Sequence, residues 1–339
     1  MVSGSSKIQI FKPYILGSGL AGKAISEALS LLSVQNMGLQ FETPKFLGRD
    51  ELRQLKLSDP QSSLLFIANP SGLHAQAILE GTRIGFTTIF AEKPACVTEV
   101  ELKALEALPT RVAVLHVYRE MWGPQFLREL VETGKLGEVF ALESRYWQPS
   151  AAHRFVAAAP SRSSWKNDPA LCGNCDALLD LGSHWIDMMS FVTASQPATL
   201  RTRLLYPLSE APHRDTHVQI QGKLLSGASL QGSVSKVVHG SANDFEVVIM
   251  GTEGTARWNF MNPDQVLVGR GRDASLMTRK GAESGTGHPP YHAMGWIEGY
   301  VALVRKVLTE SQISHQYPVP QLSENLKLLR HLMKADQIL

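Results

Sequence analysis

The apolar positions of this chain change rhythm part-way along it. In the first part they come as short unbroken runs: Phe11–Leu16, Leu64–Ala68, Thr88–Ala91 and Val112–Val117. Such runs read as strands buried on both faces of a parallel sheet. Between them the spacing turns helical, at Ala24, Ile25, Ala28, Leu29 and Leu32, and again through Ala75–Glu80. From Thr199 the pattern becomes alternating. Thr199–Leu205, His217–Leu225, Ala228–Val234, Phe245–Met250, Thr255–Phe260 and Gln265–Val268 read as strands, separated by turns such as Ser226-Gly227 and Gly251–Gly254. Helices are expected over Asp176–Val192, Ala293–Thr309 and Ser323–Ile338.

The predicted class is therefore α/β. A Rossmann-type parallel sheet occupies residues 1–120, and an α+β domain with an open, mostly antiparallel sheet occupies residues 121–339. One interval breaks the order. After the strand Leu39–Glu42, Thr43-Pro44 stops helix formation at once, and only a short helical turn near Asp50–Leu55 precedes Leu64. The second crossover is clipped.

Composition narrows the functional classes. At 339 residues the chain exceeds what one core usually serves. A net charge of +2 argues against a nucleic-acid surface, and no apolar run is long enough to span a bilayer. Met1–Lys7 lacks the layout of a signal peptide, and three cysteines make no disulfide framework, so a cytoplasmic setting is expected.

The first strand runs into Gly17-Ser18-Gly19-Leu20-Ala21-Gly22, a G-x-G-x-x-G between strand and helix. Gly17 suits the tight turn, Gly19 the approach of a pyrophosphate, and Gly22 the packing of helix on strand. The phosphates would lie at the helix N-terminus, where free N–H groups favour anions. The fingerprint also asks for an acidic residue about twenty positions on, and Glu42 stands there to accept the ribose hydroxyls. That favours NAD. Lys45 and Arg49, close by, leave NADP open. Asn69 and Pro70, in the loop before His74, sit at the carboxyl edge of the next strand and can reach the nicotinamide half. Glu92-Lys93-Pro94 ends the strand after that, at the edge where ligands of parallel sheets bind. His74 reads as a packing histidine beside this cofactor loop.

In the helix expected over Asp176–Val192, Asp180, His184 and Asp187 fall at i, i+4 and i+7 and form a polar stripe. A carboxylate one turn from an imidazole can hold its tautomer. Gly182 between them would let a ligand or backbone approach closely.

With these segments in order, the chain resembles the Gfo/Idh/MocA family of nicotinamide-dependent oxidoreductases. The resemblance is carried by Gly17–Gly22, Ala68-Asn-Pro-Ser-Gly-Leu-His74, Glu92-Lys93-Pro94 and Asp180-Leu-Gly-Ser-His184-Trp-Ile-Asp187. Weaker echoes are Gly134–Val139 and Gly287-His288-Pro289. The resemblance implies that His184 exchanges a proton with the substrate hydroxyl or carbonyl. It implies that Lys93 polarises the same oxygen, and that Asp180 orients the substrate and tunes His184. It also implies that Arg119 and Trp122 lie over the cleft, and that the open sheet pairs subunits into a homodimer or homotetramer. The clipped crossover departs from the family, as does Cys172-Gly-Asn-Cys175 before the helix.

Trp147, Arg154, Trp165 and Lys166 follow in a loop-rich stretch. Their aromatic faces and cationic donors suit a sugar or polyol, acidic ones included. The Cys172–Cys175 pair could suggest zinc, but no second pair completes a site, and no metal is expected. The expected activity is hydride transfer between NAD(P) and a hydroxyl or carbonyl of a sugar, polyol or related molecule. An enzyme that retains NAD and uses transient oxidation for elimination or glycoside cleavage is an alternative, as is a non-catalytic nucleotide-binding sensor.

Overall fold

A computed structural model describes residues 9–35, 38–155, 164–207, 214–279, 295–310 and 314–337. The Gly287-His288-Pro289 segment lies outside them.

The first domain is a parallel sheet with helices on its faces. Its elements are β1 (Gln9–Leu16), α1 (Leu20–Val34), β2 (Leu39–Phe41), β3 (Lys45–Leu47), α2 (Arg49–Gln54), β4 (Ser63–Ile67), α3 (His74–Ile84), β5 (Thr88–Ala91), α4 (Glu99–Glu106) and β6 (Arg111–Val114). The strand order is β2-β1-β4-β5-β6, with β3 also beside β1. All five residues of β4 are buried, as a strand covered on both faces requires.

The clipped crossover has a defined form. β2 and β3 are two halves of one edge strand, both parallel to β1. Phe11 pairs with Phe41 and Tyr14 with Lys45, so β1 advances three residues while its neighbour advances four. The extra residue falls at Glu42-Thr43-Pro44, where proline cannot donate to the ladder. The strand then resumes and ends opposite Leu16 at Leu47. The short α2 follows directly, as the sequence predicts.

The second domain adds α5 (Trp122–Glu132), β7 (Val139–Trp147), α6 (Pro169–Cys172), α7 (Ala177–Asp180), α8 (Gly182–Thr193) and β8 (Pro197–Leu205). Then come β9 (His217–Leu224), β10 (Ser229–Ser235), β11 (Asp244–Gly251), β12 (Thr255–Asn259), β13 (Gln265–Arg270), β14 (Asp273–Thr278), α9 (Trp296–Thr309), α10 (Leu322–Met333) and β15 (Asp336–Gln337). The sheet runs β14-β13-β12-β11-β7-β10-β9-β8-β15 and is antiparallel except at β7–β10 and β8–β15. β7 and β14 were not among the expected strands. α5, α8 and α10 pack on one face. The other face carries, in register, Gln221, Gln231, Glu143, Val248, Arg257, Leu267 and Leu276.

The helix expected over Asp176–Val192 is two helices. α7 ends at Asp180 and α8 begins at Gly182. A Cβ on Gly182 would make only ordinary contacts, the nearest at 3.6 Å from Leu178, so no close backbone approach explains that glycine.

The last helices return to the first domain. α9 packs on α1, and α10 packs on α4 and β6. Val114 donates its N–H to Pro320 at 2.9 Å, and Ala113 bridges to Gln321.

Candidate active site

A cleft of about 1190 Å³ opens between the two domains along the carboxyl edge of the first sheet. Gly17, Ser18, Gly19, Leu20 and Ala21 line one end, followed by Asn69, Pro70, His74, Glu92 and Lys93. Asp180, His184 and Lys166 complete the wall from the second domain.

The turn after β1 fits a pyrophosphate. Gly17 holds φ at 112°, and a Cβ there would stand 2.5 Å from the Ala68 carbonyl oxygen. A Cβ on Gly19 would meet nothing within 4 Å, so that backbone lies open to the cleft. Gly22 is buried under Gly17, a packing position rather than a contact. The N-cap of α1 makes no side-chain hydrogen bond and the first turn has no acidic residue, leaving N–H groups for an anion. Among the described residues Asn69 Oδ1 is buried without a hydrogen-bond partner, as a ligand-facing group would be. The His74 ring bridges the Pro94 and Asn69 carbonyls, each at 2.8 Å. It ties the two cofactor-side loops together and is lowered below the ordinary imidazole range by burial.

At the other end, charges are gathered and cross-braced. Lys93 Nζ donates to Asp180 Oδ1 at 2.7 Å and to the Asp180 carbonyl at 2.9 Å, joining the domains. Lys236 Nζ lies 2.7 Å from Asp180 Oδ2 and also bonds Asp176. Burial alone would raise Asp180, but the ammoniums of Lys236, Lys93 and Lys166 hold its carboxyl well below the usual range. Burial likewise works against the Lys236 charge, and Asp180 and Asp176 reverse that and raise it. Lys166, with a half-exposed side chain, stands 3.8 Å from Asp180 Oδ2 and within cation–π reach of Trp165. Asp215 accepts from the N–H groups of Asp176 and Leu178 at 2.6 and 2.7 Å and so fixes the start of α7; burial pushes it up to about 6.

His184 is set differently. Its ring lies against Tyr118 at 4.7 Å between centroids, with Tyr146 and His116 edge-on at 5.9 and 5.8 Å. No described group hydrogen-bonds its nitrogens, and the residue opens only onto the cleft. Burial, then the nearby charge of Lys93, keeps it well below the ordinary imidazole value, so the ring is neutral. Asp180 acts on it through space only, its oxygens being engaged by lysines. Beside it Tyr118, Tyr146, Gln148 and Asn243 form a ring of hydrogen bonds. The Tyr118 and Tyr146 hydroxyls are 2.9 Å apart, and the Gln148 amide donates to Tyr146 at 3.0 Å and to Asn243 at 2.6 Å. Glu92, buried, accepts from the Tyr300 hydroxyl, and burial raises its carboxyl.

Three expected positions are corrected. Arg119 does not face the cleft. It is buried, with Nε 2.7 Å from Asp187 Oδ2 and Nη2 3.1 Å from Glu324, and so locks α8 to α10. Asp187 is thereby taken out of the polar stripe. Trp122 is buried against Phe126, ring centroids 4.8 Å apart, because it starts α5 facing the core. Glu42 is exposed at the bulge, five positions short of the strand end at Leu47, and does not line the cleft.

Lys236, Tyr118, Tyr146, Gln148, Asn243 and Arg214 were not anticipated. Arg214 is buried and donates to the Lys166 and Cys175 carbonyls, both at 2.6 Å, anchoring the loop that carries Lys166. The one sequence signal was Lys236, a lone charge in Val234-Ser-Lys-Val-Val238. Cys172 donates to the Asp168 carbonyl, burial pushes Cys175 up to about 11, and no metal-holding group of three side chains occurs among the described residues.

Residues 125–257 match the model of the GFO/IDH/MocA C-terminal domain. A levoglucosan dehydrogenase of Pseudarthrobacter phenanthrenivorans is 24% identical over 262 residues, covering 69% of this chain and 65% of its own length. The chain thus spans just under two thirds of that relative. A glucose-6-phosphate 3-dehydrogenase of Bacillus subtilis is 21% identical over 84% of each chain. Among solved structures, an inositol dehydrogenase homolog from Azotobacter vinelandii complexed with NAD+ superposes with a TM-score of 0.83 at 16% identity, covering 99% of this chain and 97% of its own.

Proposed function

We propose that this chain, a member of the GFO/IDH/MocA family by the match over residues 125–257, is an NAD(P)-dependent oxidoreductase acting on a hydroxyl or carbonyl of a sugar, polyol or related small molecule. The carrying observation is that Lys93 from one domain and Asp180 and His184 from the other line the same cleft as the Gly17–Ala21 turn. The nicotinamide, when bound, supplies or takes up the hydride. The turn and the open N–H groups of α1 would hold its phosphates, Asn69 lies beside that turn, and Glu92 lies on the nicotinamide side.

The protein's own work is proton transfer and positioning. In oxidation His184, neutral and free at its nitrogens, takes the hydroxyl proton; in reduction it gives that proton back. Lys93 presents an ammonium to the same oxygen, its direction fixed by Asp180, which Lys236 fixes in turn. The Tyr118–Tyr146–Gln148–Asn243 ring offers donors and acceptors for further hydroxyls of a polyol, and the aromatic faces around His184 keep water from the reacting carbon. The names of the relatives support the sugar class. The sensor reading is motivated by the clipped crossover, and the set of Lys93, Asp180 and His184 lining one cleft argues against it.

The test is a screen of levoglucosan, glucose 6-phosphate, free sugars and inositols with NAD+ and NADP+, read at the nicotinamide absorbance. Accumulating reduced cofactor supports a dehydrogenase. Product without accumulated reduced cofactor favours an enzyme that recycles it internally, and no change in any substrate removes the reading. We also propose that the open face of the second sheet pairs with a second copy. Light scattering should give a dimer or larger, and Leu267→Lys should weaken it.

A further inference from the structure

We infer that the adenosine end of the cleft is built for a 2′-phosphate, with Arg49 as the residue that selects NADP over NAD. This rests on the oxidoreductase reading. The argument starts from the register of the edge strand. In a dinucleotide fold the residue that meets the adenosine ribose sits just beyond the strand beside β1, at its carboxyl end; a carboxylate there takes the ribose diol, and an arginine takes a 2′-phosphate. By sequence spacing that residue was Glu42. In the structure the strand continues past Glu42 and ends at Leu47, opposite Leu16, the last residue before the glycine turn. The first side chain beyond that end is Arg49, because Gly48 has none.

A crevice opens at that point. It is lined by Leu16, Arg49, Leu52, Arg53, Asn69 and Leu73, among others. Asn69 lines both the crevice and the main cleft, and Leu16 of the crevice directly precedes Gly17 of the cleft, so the crevice continues it in the direction an adenosine would take from the glycine turn. The crevice is shallow, about 20 Å³, with Leu16 and Leu52 nearly buried beneath it, and two guanidiniums stand at its rim. Arg49 forms no ion pair with any described carboxylate. Arg53 is 3.4 Å from the exposed Asp50, a loose contact. The acidic residue of the crevice, Glu80, is already engaged by Arg83, with Nη2 2.5 Å from its oxygen. The position thus has cations available for a dianion, and its carboxylates are committed or turned outward. An arginine fork matches phosphate oxygens and offers nothing comparable to a diol.

The experiment is a titration of the full chain, without substrate, by NADPH and by NADH, followed through nicotinamide fluorescence. Adenosine 2′,5′-bisphosphate and AMP serve as competitors. The wild-type protein should bind NADPH about tenfold or more tightly than NADH, and the bisphosphate should compete better than AMP. Arg49→Ala should remove most of the preference by weakening NADPH far more than NADH, and Arg49→Glu should invert it. Added salt should narrow the gap, since the arginine is exposed. A wild-type protein that binds NADH as well as or better than NADPH overturns the inference and leaves the oxidoreductase reading standing. So does an Arg49→Ala variant that weakens both alike or neither. Binding of neither dinucleotide overturns both.

Discussion

The two ends of the cleft are built on opposite plans. At the nicotinamide end the charges are buried or half-buried and cross-linked: Asp180 is held by Lys93 and Lys236, Lys236 by Asp180 and Asp176, and Asp176 by Lys236 and the capped start of α7. At the adenosine end the charges are exposed, and Arg49 stands apart from any described carboxylate. A buried network keeps its geometry because removing one member strands the others in low dielectric. An exposed arginine is free to change without harm to the fold. On the reading proposed above, chemistry sits where substitution is costly, and cofactor choice sits where it is cheap.

The contrast can be pressed from its strong end to its weak one. His184→Ala and Lys93→Ala should each lower kcat/KM by about 10²–10⁴ with dinucleotide affinity within a few-fold of wild type. Retained turnover of the true substrate in either would break the assignment. Arg119→Met should cost about 3–5 kcal/mol of stability, because Asp187 stays buried without its guanidinium. A urea midpoint unmoved by that change would mean the buried pair carries nothing. The pH profile is a subtler probe. Burial and Lys93 hold His184 below the ordinary value of 6.5, so the neutral base persists below that pH. For alcohol oxidation the acid limb of kcat/KM should therefore lie under pH 6.5. For carbonyl reduction, which needs the protonated ring, the rate should rise as pH falls through the same range. An oxidation limb above 6.5 contradicts the assignment of the base. Glu42→Ala should do least: a stability change within about 0.5 kcal/mol and an unchanged NADPH-to-NADH preference.

What was legible in the sequence follows the range over which each feature is encoded. The glycine turn, Glu92-Lys93-Pro94 and the Asp180–His184 segment are local, each set by residues adjacent in the chain, and they line one cleft as their positions at strand and helix ends suggest. Glu42 was misread because counting residues assumes an unbroken strand, and the bulge at Thr43-Pro44 adds one and moves the end to Leu47. Arg119 and Trp122 were misread because side-chain direction in a short turn between domains depends on what packs there. β7 was hidden because Glu143 and Arg145 interrupt its apolar positions, although Leu142, Ser144 and Tyr146 point inward. Lys236, Gln148 and Asn243 could not be found by spacing at all. They meet through the pairing of β7, β10 and β11, strands drawn together from about a hundred residues of chain.

The return of α9 and α10 onto α1, α4 and β6 means that the first domain is roofed by these two helices. Cut at residue 120, the first half would show water the apolar sides of α1 and α4 that those helices cover. The two pieces should be insoluble when made apart and should recover when made together, because the tail that closes the molecule is also a wall of its opposite lobe.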